Sequence, residues 1–206
     1  DKYSSLLAYM GLYIKEEVQQ EAWVRNIAGF TRFLETISFS HASLLNTTNI
    51  ARECGVERKT VEGYINILED LMLIFRIPVF TKRARRELIS HCKIYFFDAG
   101  VFRALRPSGP FDRSEEINGA ALEGLVAQHL QAWIDYSNRK NTLYFWRTRA
   151  GVEVDFVIYG EDGLWGIEVK NSDKIRNGDL KSLESFKEDY PASRMLFLYR
   201  GKERLK

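Results

Sequence analysis

Apolar residues recur at every third or fourth position through the first part of the chain, which is the spacing of amphipathic helices. One such series runs from Leu6 to Val18, and a second runs from Trp23 to Ile37. A third stripe comprises Val61, Tyr64, Ile65, Leu68 and Leu71. The pattern predicts a mainly helical unit that ends in a short strand over residues 73–80.

The third stripe belongs to a pair of helices that a tight turn joins. Ile50 falls on a short first helix, and Gly55 with Val56 forms the turn to the second. Two helices joined in this way resemble a winged helix-turn-helix, a unit that places its second helix against DNA.

The outward face of the second helix bears on whether this unit reads DNA. Arg58 and Lys59 lie at its N-terminal end and suit contacts with phosphates. Glu62, Glu69 and Asp70 follow, and a phosphate backbone would repel them. A recognition helix normally presents Arg, Lys, Asn or Gln to base edges. We therefore rank packing or a subunit contact ahead of specific DNA reading for this helix.

The pattern changes in the second half of the chain. A long helix begins at Ser114, and strands are predicted at residues 143–147, 152–159 and 167–170. A helix over residues 179–187 and a strand over residues 195–199 follow. This order favours a mixed sheet flanked by helices, which is an α/β (α+β) fold. It divides the chain into a helical unit over residues 1–90 and a second unit over residues 91–206.

Composition and charge narrow the function classes. The chain has 206 residues, of which 45% are hydrophobic, so it can form a packed core. Its net charge of +2 provides no overall attraction to nucleic acid. Cys54 and Cys92 are isolated and make no zinc-ligand spacing with the three histidines, which favours the reducing cytoplasm. No apolar run is long enough to span a bilayer, and a chain that begins at Asp1 is expected to be part of a longer protein.

One short segment concentrates positive charge. Four cations lie within five residues, at Lys82, Arg83, Arg85 and Arg86. This density makes the segment the strongest local candidate for contact with a nucleic-acid backbone. A solvated loop and contact with an acidic protein partner are the alternatives.

Two predicted strands place acidic residues and a lysine close together. In regular alternation, one face of the first strand holds Glu153, Asp155, Val157 and Tyr159, and the other holds Val152, Val154, Phe156 and Ile158. In the strand predicted over residues 167–170, Glu168 and Lys170 share a face. Gly160 to Gly163 forms the hairpin turn between them, so Asp155 is expected to lie close to Glu168 and Lys170.

These residue types suit metal-dependent chemistry on phosphate. Asp155 and Glu168 offer hard oxygen ligands for Mg²⁺, which usually takes one or two protein carboxylates and keeps its other waters. Lys170 can orient an attacking water or offset developing negative charge. The alternative is the polar outer face of an ordinary hairpin, because a motif this short often arises by chance.

The long helix brings a further carboxylate. Leu122, Leu125, Val126, His129, Leu130 and Trp133 are predicted to form its apolar stripe. Glu123 falls at the edge of that stripe, where it can face a neighbouring element. His129 lies within the stripe and is predicted to be a core residue.

The element order, with Glu123 on the helix, Asp155 on the second strand and Glu168 and Lys170 on the third, is similar to the PD-(D/E)xK nuclease core. Val154 stands where that signature has proline. The chain as a whole resembles the domain of unknown function that follows the ATPase domain of many prokaryotic AAA-type ATPases. The stretches that support the resemblance are residues 13–18, 45–71, 93–100, 119–126, 144–158 and 167–170.

The resemblance implies a winged helix-turn-helix unit joined to a restriction-endonuclease-like unit. It implies an ATPase domain upstream in the full protein, with that domain and DNA as the expected partners. The present chain contains no G-x-x-x-x-G-K-[S/T] motif, so we expect no ATP binding by that route. The expected metal ligands are Asp155 and Glu168, with Lys170 and Glu123 beside them.

Two functions follow as hypotheses. The first is a Mg²⁺-dependent nuclease, in which the four residues named above act on phosphodiester bonds. The second is a non-catalytic module that binds DNA or protein and is coupled to the ATPase. The sequence specifies neither the substrate nor the oligomeric state.

Overall fold

The computed structural model of the chain describes residue 8 and residues 26–82, 88–176 and 178–202. These described residues form a mixed α/β protein with six helices and two sheets. None of the helices among them is both long and apolar enough to cross a membrane. The apolar series predicted over residues 6–18 lies outside the described residues, apart from Ala8.

The first three helices are α1 (Ile27–Ser38), α2 (Thr47–Cys54) and α3 (Arg58–Asp70). Asn26 and Asn46 cap α1 and α2, because each side chain accepts a hydrogen bond from a backbone N–H of the first turn. Gly55 ends α2 with φ of 67°, a left-handed conformation that favours glycine. This confirms the predicted turn. The apolar stripe of α3 is also confirmed, since its members from Val61 to Leu68 pack into one core with α1 and α2.

A three-stranded antiparallel sheet lies beside these helices. Its strands are β1 (Ser43–Leu44), β2 (Ile74–Ile77) and β3 (Lys93–Phe96), in the order β1-β3-β2. β3 is the central strand, although it follows the predicted division at residue 90. The sheet therefore contains residues from both predicted units. All four residues of β3 are buried.

The remaining elements follow the predicted order of helix, three strands, helix and strand. Preceded by α4 (Ala99–Leu105), they are α5 (Ser114–Ser137), β4 (Asn141–Arg147), β5 (Glu153–Gly160), β6 (Gly163–Lys170), α6 (Lys181–Asp189) and β7 (Arg194–Tyr199). The sheet order is β4-β5-β6-β7, with antiparallel pairing up to β6 and parallel pairing of β6 with β7. This confirms the predicted mixed sheet and the hairpin between β5 and β6.

A register shift in β5 changes which side chains share a face. Tyr144 pairs with Val157 and Trp146 pairs with Val154, so two residues of β5 stand opposite Phe145 alone. This is a β-bulge at Asp155 and Phe156. Val154 and Val157 consequently pack in one apolar cluster, whereas Phe156 and Ile158 pack in another. The prediction of regular alternation along this strand is wrong, because the extra residue reverses the faces beyond the bulge.

The orientation of α5 also differs from the prediction. The buried residues of α5 are Ala121, Gly124, Ala127 and Ile134, whereas Leu125 and Trp133 are 41% and 46% exposed. His129 is exposed too, so its assignment to the core is wrong. The small residues explain the difference, since a Cβ atom at Gly124 would lie 2.4 Å from Nε2 of His41. The helix therefore approaches β3 through its small residues.

Candidate functional site

A lysine of β3 forms the centre of a cluster of charged residues. Lys93 is 1% exposed, and its ammonium group lies 3.0 Å from Oε1 of Glu123 on α5. The same group forms an ion pair with Glu153 on β5. Burial lowers the pKa of Lys93, but the negative charges of Glu123, Glu153 and Asp155 outweigh burial and raise it above its usual value. Lys93 is therefore charged at neutral pH although it is buried.

Glu123 is held by a second residue of β3. The Tyr95 hydroxyl donates a hydrogen bond of 2.6 Å to Oε1 of Glu123, the same oxygen that contacts Lys93. Lys93 and Tyr95 are two positions apart on one strand, so both side chains reach the same side. Burial and the nearby carboxylate raise the pKa of Tyr95 well above its usual value, which keeps the hydroxyl protonated as a donor.

Glu153 is fixed from two directions. One carboxylate oxygen pairs with Lys93, and Oε2 lies 2.8 Å from a guanidinium nitrogen of Arg147 on β4. Arg147 and Glu153 are directly paired residues of neighbouring strands. The neighbouring Trp146 is fully buried and its ring packs against that of Phe186, so Trp146 is a core residue.

Asp155 lies at the bulge, just outside the β5–β6 ladder. The pair of that ladder nearest to Asp155 is Phe156–Ile167. Beyond it, Oδ2 of Asp155 accepts a hydrogen bond of 2.8 Å from the backbone N–H of Val169. Burial and the charges of Glu123 and Glu168 raise the pKa of Asp155 well above its usual value, and Lys93 and the Val169 N–H only partly oppose this. The bulge thus places Asp155 among like charges.

Glu168 is the most buried carboxylate of the cluster, with 4% exposure. Its Oε1 lies 2.9 Å from the ammonium group of Lys170, and its Oε2 accepts a hydrogen bond of 3.0 Å from the Ser182 hydroxyl on α6. Burial raises the pKa of Glu168, and the contacts with Lys170 and Ser182 offset only part of that rise.

Lys170 connects the cluster to solvent. Its side chain is 41% exposed and lines an open cavity of about 720 Å³. Burial lowers the pKa of Lys170, but contact with Glu168 outweighs burial and raises it, so the side chain is charged at neutral pH. Arg176 and Arg200 line the same cavity together with Glu115 and Asp179. The cavity provides a path by which a polar substrate can reach Lys170.

A family model for a domain of unknown function, DUF8612, matches residues 2–112, which is more than half of the 206-residue chain. The chain belongs to the DUF8612 family. A second model, for the domain of unknown function DUF4143, matches residues 118–206 and therefore covers most of α5 and all of the four-stranded sheet.

Two mycobacterial proteins are similar to this DUF8612 chain over nearly its whole length. They are uncharacterized protein Mb2031c of Mycobacterium bovis and uncharacterized protein Rv2008c of Mycobacterium tuberculosis. Each is 25% identical over 202 residues, which is 96% of this chain and 42% of the relative. The chain thus spans about two fifths of the length of the curated relatives it matches.

The structure of the DUF8612 chain brings the four residues predicted for catalysis into one region. The negative charges of Glu123 and Glu168 both contribute to the raised pKa of Asp155, and Lys170 contacts Glu168 directly. Sequence reasoning missed Lys93, Tyr95 and Ser182 as members of this region. A lysine that opens the otherwise apolar stretch of residues 93–97 was the available signal for Lys93. No local signal pointed to Ser182.

Among the described residues, those predicted to contact nucleic acid lie elsewhere. Arg58 and Lys59 are exposed in the first turn of α3, and Arg58 forms an ion pair of 2.8 Å with Glu62. Lys82 is exposed, and its ammonium group lies 4.4 Å from the centre of the Tyr159 ring. Tyr159 is four residues beyond Asp155 in β5, about 13 Å along a strand. Arg83, Arg85 and Arg86 lie outside the described residues.

Proposed function

We propose that this chain is a Mg²⁺-dependent nuclease-like module that hydrolyses phosphodiester bonds of DNA, within the C-terminal part of an AAA-type ATPase. The supporting observation is the convergence of Glu123, Asp155, Glu168 and Lys170 from three separate elements. The order α5, β4, β5, β6, α6 and β7 supports a nuclease-like fold. The α2–Gly55–α3 arrangement, with β2 and β3 beside it, supports a winged helix-turn-helix.

The donor chemistry of Asp155 and Glu168 fits Mg²⁺. Among the described residues, no group of three or more His, Cys, Asp or Glu side chains is arranged to hold a metal ion. Mg²⁺ does not need such a group, because it usually takes one or two carboxylates and keeps several waters. Burial and the negative charges of Glu123 and Glu168 raise the pKa of Asp155, and a divalent cation would relieve the repulsion among these carboxylates. When bound, Mg²⁺ would stabilise the negative charge that develops on the phosphate.

Each remaining residue has a defined task in this proposal. Lys170, partly exposed at the cavity and held by Glu168, orients the attacking water and offsets charge on the phosphate. Glu123, fixed by Lys93 and Tyr95, keeps its carboxylate beside Asp155 and accepts hydrogen bonds from water near the phosphate. Ser182 holds Glu168 in place through Oε2.

Incubation of the purified chain with a DNA duplex, in Mg²⁺ and in chelator, tests the proposal. We expect cleavage that requires Mg²⁺ and is lost in Asp155→Asn. The matched control is Glu161→Gln, which removes an exposed carboxylate from the β5–β6 turn and should cleave as the wild type does. Absence of Mg²⁺-dependent cleavage, or equal cleavage by Asp155→Asn, would refute a nuclease.

A non-catalytic module that binds DNA or protein is the second candidate. The observation that favours it is the set of ion pairs within the cluster, since Lys93 pairs with Glu123 and Glu153, and Lys170 pairs with Glu168. Such a network can be purely structural.

The second candidate predicts a different response in cells that contain the whole protein. Glu168→Ala would leave the function of that protein intact, whereas charge reversal at Arg83 and Arg85 would abolish it. A gel shift of a random duplex at two salt concentrations separates binding to DNA from binding to a protein partner. Loss of function in Glu168→Ala, with the protein still folded, would favour the nuclease.

A further inference from the structure

Lys93 differs from Lys170 in its access to solvent, and this gives the two lysines different roles. The side chain of Lys170 is 41% exposed and lines the open cavity, whereas that of Lys93 is 2% exposed. The ammonium group of Lys93 also lies 5.5 Å from the centre of the Phe145 ring, which is fully buried. A phosphate group that enters through the cavity can approach Lys170, but Lys93 is enclosed by the protein.

The contacts of Lys93 account for its burial. An ammonium group is unfavourable inside a protein unless anions compensate its charge. Glu123 and Glu153, which come from α5 and β5, both pair with Lys93. The same two carboxylates also interact with Tyr95 and Arg147 respectively. Protein donors therefore occupy the Glu123–Glu153 side of the cluster.

The Asp155–Glu168 side is less compensated. Asp155 accepts a hydrogen bond from the backbone N–H of Val169, and this donor carries no net charge. Glu168 contacts Ser182 and Lys170, and Lys170 lines the open cavity. A divalent cation would therefore gain more from the Asp155–Glu168 side than from the side that Lys93 already neutralises.

We propose that Lys93 is a built-in cation that replaces a second metal ion between Glu123 and Glu153, and so restricts the cluster to one divalent ion at Asp155 and Glu168. The single ion in this statement rests on the proposed function, whereas the replacement of a second ion by Lys93 does not. Lys93 is thus a positioning residue, which fixes Glu123 and Glu153 without touching the substrate. Removal of its charge should open a new site for a divalent cation.

The test counts bound Mn²⁺ by calorimetry and by electron paramagnetic resonance of the free ion, with Mn²⁺ alone as the probe. We expect one ion per chain in the wild type and in Lys93→Arg, which keeps the charge. We expect two ions in Lys93→Met, which has a similar volume and no charge. The second ion should be lost again in Lys93→Met combined with Glu153→Gln, a pair of changes that removes one charge of each sign.

The outcomes separate this inference from the proposed function. If Lys93→Met is folded and binds one ion, as the wild type does, the inference is wrong while the Asp155–Glu168 site stands. If the wild type binds no Mn²⁺ but Lys93→Met gains one ion that Glu153→Gln removes, the proposed function fails and the inference stands.

Lys93→Met can also fail to fold in the absence of metal, and this outcome is informative as well. The inference then predicts that Mn²⁺ restores folding of Lys93→Met, seen as a thermal transition that appears on addition of the ion. Restoration by Mn²⁺ should not occur when Glu153→Gln is also present. Failure of Mn²⁺ to restore the single variant would overturn the inference.

Discussion

Lys93 on β3 and Glu123 on α5 form an ion pair of 3.0 Å that joins the three-stranded sheet to the long helix beside the four-stranded sheet. The two residues are 30 positions apart in the sequence. Their contact ties a residue of the DUF8612 match to a residue of the DUF4143 match. The two matched regions therefore share one cluster of charged residues.

The first prediction concerns the stability that this ion pair confers. Lys93→Met should lower the free energy of unfolding by about 3–5 kcal/mol at pH 7 without metal, because Glu123 loses its ion pair in a buried cluster and Glu153 keeps the one with Arg147. Urea unfolding followed by circular dichroism measures the change. A loss below about 1 kcal/mol would show that the carboxylates do not depend on Lys93.

The hydrogen bond from Tyr95 gives a second prediction. Tyr95→Phe should lower the free energy of unfolding by about 1.5–3 kcal/mol, because the fully buried hydroxyl donates a hydrogen bond to a charged carboxylate. Tyr136→Phe is the matched control, since Tyr136 is 88% exposed and its substitution should change stability by less than about 0.5 kcal/mol. Equal effects of the two substitutions in urea unfolding would contradict the assigned role of Tyr95.

A third prediction follows from a buried histidine beside α5. The backbone N–H of Phe96 donates to Nδ1 of His41, so the proton lies on Nε2, which donates to the carbonyl of Ala120. Burial lowers the pKa of His41 from 6.5 to about 4, and the hydrogen bond to Ala120 offsets only part of this. His41 is therefore neutral in the folded protein at pH 7.

The sign of the resulting pH dependence is fixed by this shift. Between pH 6.5 and pH 4 the unfolded chain protonates His41 and the folded chain does not, so stability falls as the pH is lowered through that window. The loss from His41 should total about 3 kcal/mol. Urea unfolding at pH 7 and pH 4.5 should show a smaller loss in His41→Gln than in the wild type. His129→Gln, at an exposed position, should lose as much stability as the wild type does. An undiminished loss in His41→Gln would contradict the account.

The fourth prediction is that a substitution at Asp155 raises stability but lowers activity. The raised pKa of Asp155 means that the folded state favours its protonated form, so the charged carboxylate destabilises the fold at neutral pH. Asp155→Asn should therefore raise the thermal midpoint of unfolding at pH 7. It should also lower the rate of DNA cleavage by at least about 100-fold, since even residues that only hydrogen-bond to metal ligands contribute about 10–100-fold. An Asp155→Asn variant that is less stable than the wild type would indicate a structural role for the carboxylate.

The element order of the second half followed from the sequence, because the hydrophobic period changes clearly between its helices and strands. The hairpin also followed, since Gly160 and Gly163 bound a two-residue turn. The bulge at Asp155 did not, because regular alternation assumes a constant register. The face of α5 was mispredicted because the small residues Ala121 and Gly124 pack more closely than the larger apolar ones.

The partners of Lys93 could not be predicted from the sequence, for a different reason. Its partners Glu123 and Glu153 lie on other elements, and a single sequence contains no signal that links distant positions. Glu123 was found because the helix position and the resemblance both pointed to it. The charge that holds Glu123 in place became visible only from the packing of β3 against α5.

A crystal structure of the chain soaked in Mn²⁺ tests the central claim most directly. The account predicts an anomalous-scattering peak within coordination distance, about 2.0–2.3 Å, of carboxylate oxygens of both Asp155 and Glu168. The same soak of Asp155→Asn should show no peak at that position. Wild-type crystals that bind Mn²⁺ only at other positions, or not at all, would contradict the proposed metal site.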